Sequence, residues 1–177
     1  MSKKLFISAN KLLNDSFILA KKLSSTFTPD IVLGLWRGGS IPAIAIHEYF
    51  NYKGINVESA VMITKSYTGI NEQSEEIYID ISSNVLKKLK DTNNILIVDD
   101  VIDSGNTIVA VLKYMENNNI TGNIKTASIY YKPKLSCILP DYYLYDTDDW
   151  IVFPHELEGL MLDELETKKI DFKFENI

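Results

Sequence analysis

A carboxylate pair and a loop of small residues follow a continuous apolar segment near the middle of the chain. The pair is Asp99 and Asp100, and the loop comprises Asp103, Ser104, Gly105, Asn106 and Thr107. Small residues at the start of a helix expose several backbone N–H groups, and the helix dipole adds positive potential there. The loop therefore predicts a phosphate site, to which Ser104 and Thr107 add hydroxyl donors. Gly105 lets the ligand approach the backbone closely.

The carboxylate pair needs a partner other than the phosphate, because like charges repel. Sugar hydroxyls can be this partner, and so can Mg²⁺, which prefers oxygen ligands and keeps several waters. A ligand with a phosphate at one end and a diol in the middle satisfies both the loop and the pair. Asp99 and Asp100 are therefore predicted to hold the diol or the hydrated metal.

Strands and helices alternate along the chain and must position these residues. Apolar segments indicate strands at 31–36, 57–64, 77–81, 95–100 and 124–131, with further strands in the tail at 142–145 and 150–153. Amphipathic or apolar segments between them indicate helices at 8–23, 41–50, 85–90 and 107–116. This order predicts an α/β fold with a mainly parallel central sheet flanked by helices. Ligands bind such sheets at the carboxyl ends of the strands.

Local signals add detail to three of these segments. Ser8 is predicted to open the first helix, whose inner face would carry Leu13, Phe17 and Ala20. Ser40 is predicted to be the N-cap of the second helix. The polar segment 65–76 predicts a long exposed loop.

Composition excludes several classes of protein. The chain has 177 residues, within the usual range of about 100 to 200 for one domain, so residues 1–177 are expected to form a single domain. A net charge of −6 disfavours binding to nucleic acid. The sequence contains neither an apolar run of about 20 residues nor a leader-like N-terminus, which predicts a cytoplasmic protein without membrane contact. Cys137 cannot form an intrachain disulfide and is predicted to be a buried thiol.

The segment VDDVIDSGNT, residues 98–107, resembles the phosphoribosyl diphosphate motif of type I phosphoribosyltransferases. Further segments resemble that family in the same order along the chain: Trp36–Gly39, Lys65–Tyr67, Tyr131–Pro133 and Trp150–Pro154. The aspartate at position 103 resembles the residue at this position in the branch that acts on 6-oxopurines, the xanthine-guanine and hypoxanthine-guanine enzymes. Adenine, orotate and uracil enzymes tend to have alanine there. The resemblance also implies a small hood subregion beside the sheet.

The resemblance implies a role for each matching residue. Pyrophosphate would be bound by Arg37, Gly38 and Gly39, and the 5′-phosphate would be bound by Asp103, Ser104, Gly105, Asn106 and Thr107. The purine would be bound by Lys132, Trp150 and Ile151, and Mg²⁺ would be bound by Asp99, Asp100 and Glu156. A mobile loop would start at Lys65, Ser66 and Tyr67. Asp103 would also act as the general base. His155 departs from the family, because many relatives carry tryptophan there, and this departure concerns the packing of the base pocket.

The implied activity is transfer of a 5-phosphoribosyl group from phosphoribosyl diphosphate to hypoxanthine, guanine or xanthine. The products would be the nucleoside 5′-monophosphate and pyrophosphate, Mg²⁺ would be the cofactor, and the protein would be a homodimer or homotetramer. These two small molecules would be its partners, without nucleic acid or membrane.

Other interpretations remain for the same residues. A non-catalytic regulator of the same fold would sense phosphoribosyl diphosphate, although it would be expected to carry a basic face or an added nucleic-acid-binding domain. A phospho-acceptor receiver domain has a similar acidic strand end, but too little chain follows Asp100 to complete one. A P-loop hydrolase is disfavoured because no GxxxxGK[ST] motif occurs. Individually, the Arg37 segment can be an ordinary turn, Lys132 a surface lysine and Trp150 a core residue. Both histidines can be plain packing or surface residues.

Overall fold

The computed structural model describes residues 4–67 and 76–168, and for residues 66, 67, 76 and 162 it describes the backbone alone. The elements in chain order are β1 Lys4–Phe6, α1 Ala9–Leu23, β2 Ile31–Trp36, α2 Ser40–Tyr52, β3 Glu58–Tyr67, β4 Glu76–Asp80, α3 Ser83–Lys90, β5 Asn94–Ile102, α4 Asn106–Asn117, β6 Asn123–Tyr131, β7 Tyr142–Asp146, β8 Trp150–Val152 and α5 Leu162–Thr167.

Six strands form the central sheet in the order β4-β3-β2-β5-β6-β7. All neighbouring pairs in it are parallel except β3 and β4, which are antiparallel. From β2 the chain passes through α2 to β3 on one side, whereas from β5 it passes through α4 to β6 on the other side. The carboxyl ends of β2 and β5 therefore flank the point where the strand order reverses, which is where α/β sheets form a ligand crevice.

Helices cover both faces of this sheet, as the sequence predicts. On one face α1 and α2 pack through Leu19, Ile46 and Phe50 against residues that include Val32 and Val98. On the other face α3 and α4 bury Leu89, Ile108, Val111 and Met115 against the intervening strand residues Ile31, Leu33, Ile95 and Ile97. Successive side chains of a strand point to opposite faces, so β2 and β5 contribute to both cores. This explains why their sequences are continuously apolar.

Helix α1 begins as predicted, but of the three residues predicted for its inner face only Ala20 is buried. Ser8 is the N-cap, and its hydroxyl accepts a hydrogen bond from Lys11 N at 3.1 Å. Leu13 and Phe17 are exposed, and the buried face instead includes Leu12, Asp15, Ser16, Leu19, Ala20 and Leu23. Two polar residues belong to that face because each has hydrogen-bond partners there. The Ser16 hydroxyl donates to the Leu12 carbonyl at 2.7 Å, and Asp15 accepts hydrogen bonds from Lys11 and Tyr145.

A second, two-stranded sheet pairs β1 with β8 in parallel. In its register Lys4 lies opposite Trp150 and Phe6 opposite Val152, and Ile7 N donates to the Val152 carbonyl at 3.0 Å. Helix α5 is connected to this small sheet by an ion pair between Lys4 and Glu164. Strand β1 was not predicted, because three residues give no usable periodicity and their pairing partner is far along the chain.

Three local predictions are wrong. Ser40 is the first helical residue of α2 and Gly39 is the N-cap, so the Ser40 hydroxyl caps no helix. Residues 65–67 extend β3 and pair with 76–78, where the sequence predicts a loop. The remainder of that loop, residues 68–75, lies outside the described residues. Cys137 is exposed rather than buried, because it lies in the loop after β6, where its backbone N–H donates to the Ser104 carbonyl at 2.9 Å.

Within residues 4–67 and 76–168, no helix combines the length and apolar character needed to cross a bilayer.

Candidate active site at the carboxyl edge of the sheet

The carboxylate pair lies near the end of β5, in the crevice between β2 and β5. Asp100 is almost fully buried, with 6% of its surface exposed, and Asp99 is partly buried. The Asp99 carboxylate accepts a hydrogen bond from Asp100 N at 3.0 Å, and the Asp100 carboxylate accepts one from Val101 N at 2.8 Å. These local bonds set the direction of both side chains.

The turn after β2 packs directly on this pair. The peptide bond between Trp36 and Arg37 is cis, a form too rare for the sequence to predict. A methyl group added at Gly38 would lie 2.3–2.4 Å from the three carboxylate atoms of Asp100, and one added at Gly39 would lie 2.1 Å from the Val98 carbonyl oxygen. Only glycine therefore permits the turn to approach the acidic pair so closely. The structure brings Arg37, Gly38 and Gly39 together with Asp100.

The loop after β5 begins with a carboxylate that is paired with a buried cation. Lys132 Nζ donates to Asp103 Oδ2 at 2.9 Å. The Lys132 side chain is 7% exposed and that of Asp103 is 49% exposed, so the ion pair joins the protein interior to the crevice. Lys132 Nζ also lies 5.6 Å from the centre of the Trp150 ring. The interpretation of Lys132 as a surface lysine is therefore wrong, and so is that of Trp150 as a core residue, because 56% of it is exposed.

Gly105 is the N-cap of α4 and adopts a left-handed conformation with φ of 81°. A methyl group at Gly105 would lie 2.7 Å from Ser136 Oγ and 2.7 Å from Ile138 Cγ2. The glycine is therefore required by the segment behind the loop as well as by the turn itself. Ser104 Oγ accepts a hydrogen bond from Asn106 N at 3.3 Å, which shapes the start of the helix. The expected helix N-terminus is present at this loop.

A turn after β8 closes the crevice from the other side. Within it Glu156 Oε2 accepts a hydrogen bond from Phe153 N at 2.9 Å. The Lys168 ammonium donates to the carbonyl oxygens of Phe153, at 2.7 Å, and of Glu156. The His155 ring stacks on Phe153, and its Nε2 lies 3.5 Å from Asp100 Oδ2. Sequence reasoning assigned no site contact to His155 and overlooked Lys168, whose carbonyl partners leave no signal in side-chain identities.

A cavity of about 420 Å³ lies between the Arg37 turn and the small sheet. It is lined by Lys4, Arg37, Trp150, Val152, Glu156 and residues 157–160. Trp150 presents its exposed ring here, whereas Ile151, the next residue of β8, is buried. The predicted residues Arg37, Trp150 and Glu156 are thus brought together, and Lys4 is added by the β1–β8 pairing. Lys65, Ser66 and Tyr67 continue β3, and their role as the start of a closing loop stays a prediction.

Burial and mutual repulsion disfavour ionisation of the acidic pair. Burial raises the pKa of Asp99 to about 7, although hydrogen bonds from the backbone of Asp100 and Gly39 oppose the shift. Burial and the neighbouring charges of Asp99 and Glu156 raise the pKa of Asp100 well above its usual value. Burial lowers the pKa of His155. A positive ligand would relieve the repulsion between the carboxylates.

The donors present fit Mg²⁺, which prefers carboxylate oxygens. No group of three or more His, Cys, Asp or Glu side chains in the described part of the chain is arranged to hold a metal by itself. Mg²⁺ usually binds through one or two carboxylates together with waters and substrate oxygens. Asp99 and Asp100 supply carboxylates of this kind for a metal that arrives with a phosphorylated ligand.

Comparison with known proteins agrees with this geometry. The family model for the phosphoribosyl transferase domain matches residues 9–159. The chain belongs to the phosphoribosyltransferase family. It is 27% identical over 157 residues to the xanthine-guanine phosphoribosyltransferase of Cereibacter sphaeroides, covering 85% of this chain and 86% of that protein. It is 29% identical over 143 residues to the hypoxanthine-guanine phosphoribosyltransferase of Lactococcus lactis, covering 78% of this chain and 74% of that protein.

A solved structure gives the same result for the fold. The purine phosphoribosyltransferase from Pyrococcus horikoshii superimposes with a TM-score of 0.73 and 31% sequence identity, covering 89% of this chain and 97% of that one. The predicted fold class is therefore confirmed: a phosphoribosyltransferase fold with a mainly parallel sheet. The acidic pair, the Arg37 turn and the loop at 103–107 all lie at the edge of the sheet where this fold is expected to bind its ligands.

The raised pKa of Asp99 predicts a pH dependence of stability. The pKa of Asp99 is 3.8 in the unfolded chain and about 7 in the folded protein, so the folded state binds the proton of this carboxyl group more tightly. The tighter binding of this proton adds to the free energy of unfolding in full below pH about 4, and the contribution is lost as the pH rises through about 7. Asp99→Asn should therefore gain stability relative to the wild type, on the order of 2 kcal/mol, between pH 5 and pH 8.

Urea unfolding of both proteins at the two pH values measures this difference. Asp91→Asn, at the exposed C-cap of α3, is the matched control and should show no such gain. A difference between Asp99→Asn and the wild type that stays constant with pH would contradict the prediction.

Proposed function

We propose that this protein is a purine salvage enzyme that transfers a 5-phosphoribosyl group from phosphoribosyl diphosphate to a 6-oxopurine. The base would be hypoxanthine, guanine or xanthine, and the products the nucleoside 5′-monophosphate and pyrophosphate. The observation that carries the proposal is the ion pair between Asp103 and the buried Lys132 beside the exposed Trp150 ring. This group combines a proton acceptor, a cation and a stacking surface at one place.

The three parts of this group match three parts of a 6-oxopurine. The Trp150 ring supplies a face on which a planar base can stack. The Lys132 ammonium has three donors and uses one on Asp103, so it can also donate to the O6 oxygen of the base. The Asp103 carboxylate can take the proton from the imidazole part of the base as its nitrogen attacks the sugar. A purine with an amino group in place of O6 would present a hydrogen-bond donor to the Lys132 ammonium, which is also a donor, so no hydrogen bond could form.

The sugar diphosphate is proposed to bind across the crevice beside this group. The 5′-phosphate would lie at the N-terminus of α4, where residues 104–107 offer backbone N–H groups and hydroxyls. Asp99 and Asp100 would hold the ribose hydroxyls and share the metal with Glu156. Arg37 and the backbone of Gly38 and Gly39 would face the departing pyrophosphate. Bound Mg²⁺ would supply positive charge that stabilises this leaving group.

The positions of these residues explain how the reaction would be accelerated. The sugar carbon becomes cation-like as pyrophosphate leaves, so the nucleophile must already be in place and the leaving charge must be neutralised. Holding both substrates in one orientation contributes several kcal/mol, and fixed charges aimed at the leaving group contribute further. Strands β2 and β5 fix the Arg37 turn and the 103–107 loop in relation to one another. We place this reaction in the cytoplasm, as the sequence predicts.

The protein is also proposed to form a homodimer or homotetramer. A groove between α2 and β3 has a volume of about 260 Å³, and its lining includes Trp36, Ile44 and Val61. These three side chains are 49%, 63% and 47% exposed. A contiguous exposed apolar surface of this kind favours burial against another molecule. It adjoins the Arg37 turn through Trp36, so a second copy bound there would support the pyrophosphate side of the site.

The choice of base gives the main test of this function. Purified protein with Mg²⁺ and phosphoribosyl diphosphate is expected to convert at least one of hypoxanthine, guanine and xanthine to its monophosphate. Adenine, uracil and orotate should give no product, because they do not offer the purine O6 to Lys132. Chromatography separates the nucleotides. Binding of the sugar diphosphate without turnover of any base would favour the non-catalytic regulator instead.

Replacement of Asp103 separates chemistry from binding. Asp103→Ala should lower kcat roughly 10²- to 10⁴-fold, because the proton acceptor is lost, while the Kd for phosphoribosyl diphosphate changes little. Asp103→Asn retains a hydrogen-bond acceptor for Lys132 and should lose turnover to a similar degree. Steady-state kinetics and calorimetry measure the two effects. Normal kcat in the asparagine variant would rule out the general-base role.

The assembly is tested at the α2–β3 groove. Ile44→Glu introduces a charge into the apolar surface and should reduce the mass measured by light scattering to that of a monomer. Leu139→Glu is the matched control, since Leu139 is 65% exposed and lies away from the groove. An Ile44→Glu protein with the wild-type mass would place the interface elsewhere, and a monomeric wild type would exclude the oligomer.

A further inference from the structure

His155 lies against the acidic pair at a position where sequence resemblance gave it no role. Its Nε2 is 3.5 Å from Asp100 Oδ2, and its ring stacks on Phe153 with 5.6 Å between ring centres and an angle of 14° between planes. The ring therefore has one polar atom facing a carboxylate and one face fixed by an aromatic neighbour. A residue that served only to fill space would not need a nitrogen at this point.

The backbone around His155 is fixed from both sides. Glu156 Oε2 accepts a hydrogen bond from Phe153 N across the turn at 2.9 Å. The Lys168 ammonium, at the end of α5, donates to the carbonyl oxygens of Phe153 and Glu156. These contacts hold the residues before and after His155, so the ring has little freedom to move away from Asp100. The orientation of His155 is thus set by the C-terminal helix as well as by β8.

The surroundings of the two ring nitrogens differ, and this difference selects a tautomer. Among the described residues, Nδ1 is buried without a hydrogen-bond partner, whereas Nε2 faces the Asp100 carboxylate. A neutral imidazole carries its proton on one nitrogen, and the other nitrogen presents a lone pair. When Asp100 is ionised, a proton on Nε2 faces a negative carboxylate oxygen, whereas a lone pair there would be repelled by it. The surroundings therefore favour the Nε2-protonated form.

The other sides of the Asp100 carboxylate are already bounded. Val101 N donates to Oδ1 at 2.8 Å, and Gly38 leaves room for no added atom next to the carboxylate. His155 faces the remaining oxygen, Oδ2. These three neighbours restrict rotation of the Asp100 side chain.

We propose that His155 is a positioning residue that orients the Asp100 carboxylate toward the metal-bearing sugar diphosphate. The inference rests on the proposed function for the identity of that ligand, but not for the geometry around Asp100. Without the imidazole, Oδ2 loses its polar neighbour and the carboxylate can rotate toward the space left by the ring. Binding then requires Asp100 to be ordered again, which weakens affinity. In this proposal His155 acts through Asp100 rather than on the substrates themselves.

Nitrogen NMR of the ligand-free protein tests the geometry without any reaction. A long-range ¹H–¹⁵N correlation spectrum distinguishes the two neutral tautomers of each histidine. His155 is expected to be neutral and protonated on Nε2 at pH 8, and Asp100→Asn should shift its nitrogen signals. A His155 protonated on Nδ1, or signals unaffected by Asp100→Asn, would overturn the proposal.

Two substitutions then test the effect on ligand binding. His155→Phe keeps the stacking on Phe153 but removes both nitrogens, and it should weaken binding of phosphoribosyl diphosphate with Mg²⁺ about tenfold, as expected for one lost polar contact. His155→Gln restores an N–H donor and should recover most of that loss. Tyr52→Phe, at the exposed end of α2, is the control and should bind like the wild type. Calorimetry measures each Kd, and thermal unfolding confirms that each variant is folded.

The pattern of results separates orientation from simple packing. Wild-type affinity in His155→Phe would overturn the proposal, and so would an equal loss in the phenylalanine and glutamine variants. In kinetics, His155→Phe should raise KM for phosphoribosyl diphosphate more than it lowers kcat. Failure of the proposed function would show itself differently, because the wild type would then turn over no base while the NMR result for His155 stood.

Discussion

The burial of two adjacent carboxylates at the end of β5 is the constraint on which the rest of the site depends. Burial raises the pKa of both Asp99 and Asp100, and the charge of Asp99 adds to the shift at Asp100, so the pair is an unfavourable feature of the ligand-free protein. The residues that contact the pair suit it: Gly38 and Gly39 lie close to it because they have no side chains, and His155 places a ring nitrogen against the Asp100 carboxylate. Stability lost at the pair is offset by the two large cores on either face of the sheet.

The loop at 103–107 and the buried Lys132 are connected by a single short segment. Lys132 reaches Asp103 with its side chain and Ile102 with its backbone N–H, and the following residues Ser136 and Ile138 pack behind Gly105. A displacement of Lys132 would therefore be transmitted to the loop at the start of α4. This connection gives the two substrates of the proposed reaction a common structural support, and it is rigid because hydrogen bonds and close packing act together.

The sequence predicts the framework and much of the crevice because strand ends, glycines and helix starts leave strong local patterns. Asp99, Asp100 and Arg37 were assigned to one edge of the sheet by this reasoning, and the structure brings them there. The features that the sequence does not predict depend on contacts between residues far apart along the chain. The pairing of Lys4 with Trp150 and the grip of Lys168 on carbonyl oxygens involve partners that no local pattern specifies. The buried face of α1 was wrong because Asp15 and Ser16 are satisfied by hydrogen bonds that periodicity does not count.

The pairing of β1 with β8 has a practical consequence for immobilising or labelling the protein. Lys4 lies beside Trp150 at the cavity, and Lys168 lies beneath the turn that closes it, so attachments near either residue emerge close to the mouth of the crevice. A bulky tag or a solid support there would crowd incoming molecules. The exposed bend at Tyr52 and Gly54 ends α2 at the far edge of the sheet and has open space around it. With the exposed Cys137 replaced by serine, a cysteine introduced at Tyr52 would tether the protein with its crevice facing the solution.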